Sequence, residues 1–353
     1  MSLKAHLLKR ISETGPLSLA EYMSEALWHP RLGYYAMRNP LGGQGDFTTA
    51  PEISQMFGEL IGLALAQSWL DQGAPAPFTL AELGPGRGTL MADALRATTQ
   101  VPGFLEAAEL ALLEASPVLR EVQHETLGKF NPQWIEAVED LPAQPLFAVA
   151  NEFFDALPIR QFQRDGTQWR ERRVGARDGA LCFGLDPTQP QPALAHRLED
   201  TKDGDIVEDC PGSAPIMHAL GTRIAKHGGA ALIIDYGDWR SLGDTFQAVQ
   251  AHTSVDPLAE PGHADLTAHV DFEALARAAA PASYARLATQ GAFLGRLGIT
   301  PRAERLAEKL QGNALETHLS AYRRLTHPEE MGTLFKVFAL FPPGAAPPPG
   351  CTL

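Results

Sequence analysis

Cysteine is scarce in this chain. Its 353 residues include only Cys182, Cys210 and Cys351, which lie far apart and form no Cys-x-x-Cys pair. That spacing suggests neither a disulfide framework nor a zinc site, so no metal is expected and a reducing compartment suits it best. Long apolar runs are also missing, since no stretch approaches the roughly 18 residues of a membrane-spanning helix. The segment from Met1 to Ile11 is amphipathic and lacks an uninterrupted apolar core of signal-peptide length. A soluble protein is expected. Basic residues are outnumbered, 29 Lys and Arg against 42 Asp and Glu, leaving a net charge of −13. Phosphate binding depends on clustered cations, so this balance argues against nucleic acid and favours a basic partner. Arg160, Arg164, Arg170, Arg172, Arg173 and Arg177 form a local exception around two Asp-Gly turns. A solvated hairpin face is the first reading there, and a docking role the second. No internal repeat is visible.

What is present is a glycine-rich turn. Residues 78 to 90 read Phe-Thr-Leu-Ala-Glu82-Leu-Gly84-Pro85-Gly86-Arg-Gly88-Thr-Leu, an apolar strand running into three alternate glycines before a helix. Glycine permits positive φ and lets a ligand lie directly against the backbone. The dinucleotide fingerprint GxGxxG would place its third glycine at Thr89, whereas here it is Gly88. The mismatch, with Glu82 in the strand end, suits a ligand bearing an ammonium and a sulfonium rather than a diphosphate. S-adenosylmethionine is such a ligand. Glu82 would attract its ammonium, directly or through water. Tight strand-to-helix turns need glycine for geometry alone, but a second feature supports a ligand: the run Leu110 to Leu113 reads as a buried strand ending at Glu114, where a carboxylate grips a ribose diol in a doubly wound sheet.

Further strands are expected at 134–138, 145–150, 228–235 and 334–340, alternating with helical segments, which implies an α/β doubly wound parallel sheet. Helices are expected at 2–12, 18–27, 271–280 and between 291 and 325. Pro51 and Glu52 announce another, with an apolar stripe from Ile53 to Leu65 that is core. About two domains' worth of length divides into a helical region and lid at 1–70, core halves at 71–160 and 226–342, a β-containing insertion at 161–225 between the fourth and fifth strands, and a loose proline-rich tail at 343–353. The fourth strand ends in Asn151-Glu152-Phe153-Phe154-Asp155, where a transferable methyl would lie. Base-methylating enzymes often carry Asn-Pro-Pro-Tyr there, and Glu152 in place of the first proline turns a neutral grip into an anionic one. Paired carboxylates suit a guanidinium, so Glu152 and Asp155 are the catalytic candidates: they would orient it and take its proton. Solvated acids beside a turn capped by Asn151 are the plainer alternative.

The chain resembles the MidA-like methyltransferases, which include a mitochondrial complex I assembly factor acting as a protein arginine methyltransferase. The resemblance is carried by Gly15 to Met23, Gly33-Tyr34-Tyr35, Gly45 to Gln55 with Phe57-Gly-Glu59, Glu82 to Gly88, Asn151 to Pro158, Asp235-Tyr-Gly237, Ala264 to Phe272, Thr289-Gln-Gly291 and Phe335-Lys-Val337. It implies a class I, Rossmann-like methyltransferase fold with a helical amino-terminal region, S-adenosyl-L-methionine as cofactor, and a protein substrate of the complex I subunit type. It also implies cofactor contacts at Glu82, Gly84, Pro85, Gly86 and Gly88, the ribose acid at Glu114, and Asp140 with Asn151 around the adenine and methionine. The segment from Asp46 to Gln55, with Thr49 and Glu52, looks like a lid, and Asp265 and His269 would line the acceptor pocket. No long presequence precedes Gly15, so a bacterial cytoplasm is the expected home. Two other readings remain open: a nicotinamide dehydrogenase, disfavoured by Gly88 and Thr89, and an assembly factor without turnover. Oligomeric state is not legible.

Overall fold

The computed structural model describes residues 2–37 and 49–352. Four parallel strands, Phe78–Leu83, Ala108–Leu113, Gln133–Ile135 and Leu146–Asn151, begin the central sheet. A fifth parallel strand, Gly229–Asp238, lies beside the fourth, and Phe335–Phe341 closes the array antiparallel to it. Across the sheet the order is third, second, first, fourth, fifth, closing strand. The chain leaves the adjacent first and fourth strands in opposite directions, which opens a crevice at their carboxyl ends.

Period-two alternation explains why the sheet is covered on both sides. Leu80, Leu112, Phe147, Val149, Leu232 and Ile234 face one core, with helices Gln55–Asp71 and Thr89–Thr98. Ala81, Leu83, Ala148, Ala150, Ala231 and Ile233 face the other, with helices Ser213–His227 and Phe272–Ala278. These two helices pack so closely that a Cβ added to Gly221 would lie 1.9 Å from the Ala279 carbonyl oxygen.

Several local expectations are corrected. The third strand ends at Ile135 because Val138–Asp140 turns into a short 3-10 helix. The helix expected from Pro51 is broken: Ala50–Ile53 stops at Ser54, whose extended backbone and hydroxyl cap Gln55–Asp71. The insertion strands Arg160–Asp165, Gln168–Arg177, Ala180–Leu185 and Ile206–Asp209 form their own antiparallel sheet, which Leu17–Ser18 joins from the amino-terminal region. The two regions share a core containing Leu7, Leu19, Tyr22 and Val174. Arg160, Arg172 and Arg173 are engaged there by Glu171, Asp244 and Asp186. The tail is held, not loose: the Gly350 carbonyl accepts from Arg296 Nε at 2.6 Å and the Thr352 carbonyl from the Arg286 amide at 2.8 Å. A further sheet of Gln247–Gln250, Thr253–Val255 and Asp265–Thr267 was not foreseen, and it carries Asp265 to the crevice.

Candidate active site

The glycine turn forms one wall of a cavity of about 310 Å³ that also meets Glu114, Phe153, Leu157 and Trp28. Gly84, Gly86 and Gly88 have φ of 67°, 54° and 80°. Gly84 and Gly86 line that cavity, and a Cβ on Gly84 would come within 2.9 Å of the Phe153 ring beside it. Gly88 serves packing instead, because its Cβ would strike Leu127, and its amide donates to the Pro85 carbonyl at 2.7 Å to close the turn. Glu114 is fixed by the Ser116 amide at 2.8 Å and by Gln123 Nε2 at 3.1 Å, while Gln123 also donates to the Gly86 carbonyl at 2.7 Å. Burial raises the Glu114 pKa. Glycine loop and Glu114 are thereby tied into one unit.

Glu82 lies behind the loop and does not line the cavity. It is 3% exposed, and its Oε2 has no hydrogen-bond partner among the described residues. Burial pushes its carboxyl up to about 8, a Met91 amide hydrogen bond opposes this, and the charge of Glu114 adds to it. An orphaned acid beside a glycine cradle fits a ligand that brings a cation. Asp140 does not take the place expected for it. Its carboxylate turns back onto the Ala137 amide at 3.1 Å, and Glu136, the first residue after the third strand, lines the cavity instead.

A second cavity, about 540 Å³, adjoins the first and meets Glu152, Asp155, Asp265, Tyr236, Phe335 and Arg324. Tyr35, Glu152 and Ala156 belong to both walls. Glu152 reaches this position through a left-handed backbone, φ 51°, while its amide donates to the Ile234 carbonyl at 2.9 Å. Its Oε1 accepts from Asn151 Nδ2 at 3.1 Å and from the Ala50 amide at 3.3 Å. Burial and the negative charge of Asp155 push the Glu152 carboxyl up to about 7. Asp155, buried beside the Tyr236 hydroxyl, is pushed up to about 6. Asn151 sits behind this pair and lines neither cavity.

The Asp235 carboxylate, fully buried within the fifth strand and three residues before its end, organises the turn. It accepts from the amides of Phe154 at 3.0 Å, Asp155 at 3.2 Å and Tyr236 at 3.0 Å. Burial, with Asp155 and Glu152 nearby, holds its pKa well above the carboxylate range. Sequence reasoning gave it no role, although a charge ending a wholly apolar strand was a usable signal. Asp265 faces the second cavity and accepts from the Tyr35 hydroxyl at 3.2 Å. His269 also lines it, its ring 5.4 Å from that of Tyr236, with its pKa lowered by burial. Thr49 reaches the same wall, whereas Glu52 is taken by the Thr89 hydroxyl at 2.6 Å and does not. Asp46 lies outside the described residues. Away from both cavities, His6, Glu25 and His29 bring potential metal-ligand atoms within 4.8 Å of one another, but His29 Nδ1 already accepts from the Arg31 and Leu32 amides.

The glycine cradle, the switch-point crevice and the acid ending the second strand define a nucleoside-binding class I methyltransferase fold. Residues 60–290 match the model of a family of S-adenosyl-L-methionine-dependent methyltransferases, and the chain belongs to that family. It is similar to the mitochondrial protein arginine methyltransferase NDUFAF7 of Homo sapiens, 38% identical over 367 residues that cover 96% of this chain and 82% of the relative. The Xenopus tropicalis protein of that name is also 38% identical, over 366 residues, covering 96% of this chain and 85% of its own. A superfamily protein from Burkholderia thailandensis, crystallised with S-adenosyl-homocysteine, superposes with a TM-score of 0.83 at 29% identity, covering 99% of this chain and 93% of that one. The cofactor is S-adenosyl-L-methionine, and the enzyme is a methyltransferase.

Proposed function

We propose that the protein methylates an arginine side chain of a protein substrate, with the first cavity holding the methyl donor and the second the acceptor. The observation that carries this reading is the anionic partition: Glu152 stands between the two cavities, with Asp155 and Asp265 on the acceptor side. Gly84, Gly86 and Glu114 would hold the donor, with Glu82 attracting its cationic end from behind the loop; when bound, the donor supplies an electrophilic methyl on a positively charged sulfur. No enzyme nucleophile is needed.

A guanidinium presents a planar fork of donors, and its pKa above about 12 keeps it protonated until it reacts. Glu152 orients the fork and accepts the proton that the attacking nitrogen must lose. Asp155 supplies a second acceptor oxygen, and Asp235 keeps the turn bearing both acids rigid. Tyr35, Tyr236 and Phe335 displace water around the planar cation, which strengthens its attraction to the carboxylates. Orientation of this kind can be worth about 7 to 11 kcal/mol. Support for a protein acceptor comes from the names of the curated relatives. We extend the proposal to a subunit of the respiratory complex I type, and the three free cysteines agree with action in a reducing cytoplasm.

The test is incubation with methyl-labelled S-adenosyl-L-methionine and cell extract, followed by amino-acid analysis of labelled polypeptides. Methylarginine is expected, and Glu152→Gln should cut the yield at least a hundredfold while leaving calorimetric affinity for S-adenosyl-homocysteine intact. Label on another residue type, or parental turnover in the variant, would overturn the assignment. Cofactor binding with no labelled polypeptide in any extract would favour an assembly factor without turnover.

A further inference from the structure

Arg324 occupies the last turn of the helix Asn313–Thr326 and lines the acceptor cavity together with Glu152, Asp155 and Asp265. It is exposed, and among the described residues it forms no hydrogen bond or salt bridge. Its sequence neighbour Arg323, by contrast, donates to Glu330 at 3.0 Å. Arg120, beside the crevice, is likewise committed, to the Glu114 carbonyl. Arg324 is thus a loose guanidinium on a long, rotatable stem, placed at a cavity whose carboxylates suit a guanidinium. Its charge already reaches Glu152, where it opposes the effects of burial and of Asp155.

We propose that Arg324 is a self-methylation site: its side chain turns into the acceptor cavity of its own chain and takes the position of a substrate arginine there. The inference rests on the reading of that cavity as an arginine site. In the step, a nitrogen of the Arg324 guanidinium forms a bond to the methyl carbon as the carbon–sulfur bond breaks. The electron pair of the broken bond stays on sulfur, giving S-adenosyl-homocysteine, and the displaced proton passes to the Glu152 carboxylate. The same motion makes Arg324 a competitor for incoming arginine, because both cations would seek the same carboxylates, Glu152, Asp155 and Asp265.

Two measurements on the full chain test this. In the first, purified protein is incubated with methyl-labelled S-adenosyl-L-methionine and no other polypeptide, then mapped by peptide mass spectrometry. A methyl group on Arg324 is expected, formed at a fractional rate independent of protein concentration and absent from Glu152→Gln. A rate proportional to concentration would show transfer between copies and overturn the in-chain route. An unmodified Arg324 in protein that methylates arginine in cell extract would overturn the site while leaving the proposed function standing. Absence of methylarginine from every polypeptide would instead remove the proposed function. The second measurement needs no donor: methylguanidine is titrated calorimetrically into the parent and into Arg324→Gln. Removal of the competing cation should tighten its binding several-fold, and an unchanged or weaker affinity would contradict entry of Arg324 into the cavity.

Discussion

In the proposed reaction, Glu152 concentrates the chemistry in one side chain. It must be ionised to accept a proton, and burial together with Asp155 pushes its carboxyl up to about 7. Turnover of an arginine peptide should therefore rise with pH through a limb near that value. Asp155→Asn removes a negative charge that disfavours ionisation of Glu152, so the limb should move to lower pH even as the rate falls. Initial rates across acid to neutral pH provide the check, and an unmoved limb would assign the titration to another group. Both acids were legible in the sequence because they follow an apolar strand at the edge where an α/β sheet binds its ligands. Asp235 was not, since its partners are backbone amides some 80 positions earlier in the chain. Asp140 lies off the cavity wall, where Glu136 stands, for a related reason: a three-residue strand gives too little pattern to fix its end.

Elements were more legible than residues wherever one physical signal dominated. Fully buried parallel strands read as largely apolar runs: Leu146–Asn151 is unbroken up to its final Asn151, and Phe78–Leu83 is interrupted only by Thr79 and Glu82. The short strands Gln247–Gln250 and Asp265–Thr267 escaped notice because polar residues, half-buried in the first and buried in the second, break the apolar pattern. The split at Ser54 also escaped, since an apolar stripe continues across it while the backbone does not. Gly221 shows how tightly two covering helices depend on a missing side chain. Gly221→Ala would force a methyl onto the Ala279 carbonyl, and the strain should cost about 1 to 3 kcal/mol. Thermal denaturation should show a lowered Tm, with affinity for S-adenosyl-homocysteine preserved because Gly221 lines neither cavity. Unchanged stability would mean that the helices separate freely.

For the molecule as a whole, the amino-terminal region completes the site. Tyr35 stacks on Trp28 at 4.5 Å, donates to Asp265, and belongs to both cavities. Loss of that ring should weaken both ligands. Tyr35→Ala is expected to lower affinity for S-adenosyl-homocysteine roughly tenfold, about 1.4 kcal/mol, and to raise KM for an arginine peptide. Parental values for both would separate the amino-terminal region from catalysis. The region and the insertion looked like independent additions in the sequence, because nothing local signals that Leu17–Ser18 completes a sheet begun around residue 160.

With donor and acceptor in the two cavities as proposed, the wall common to Tyr35, Glu152 and Ala156 makes the two occupants thermodynamically reciprocal. Whatever factor a donor analogue adds to the affinity for peptide, the peptide must return to the analogue. Transfer of the methyl alters what presses on that wall from both sides at once, so the peptide is held by one free energy before the reaction and by another after it. Release of a finished substrate is in this way written into the partition itself.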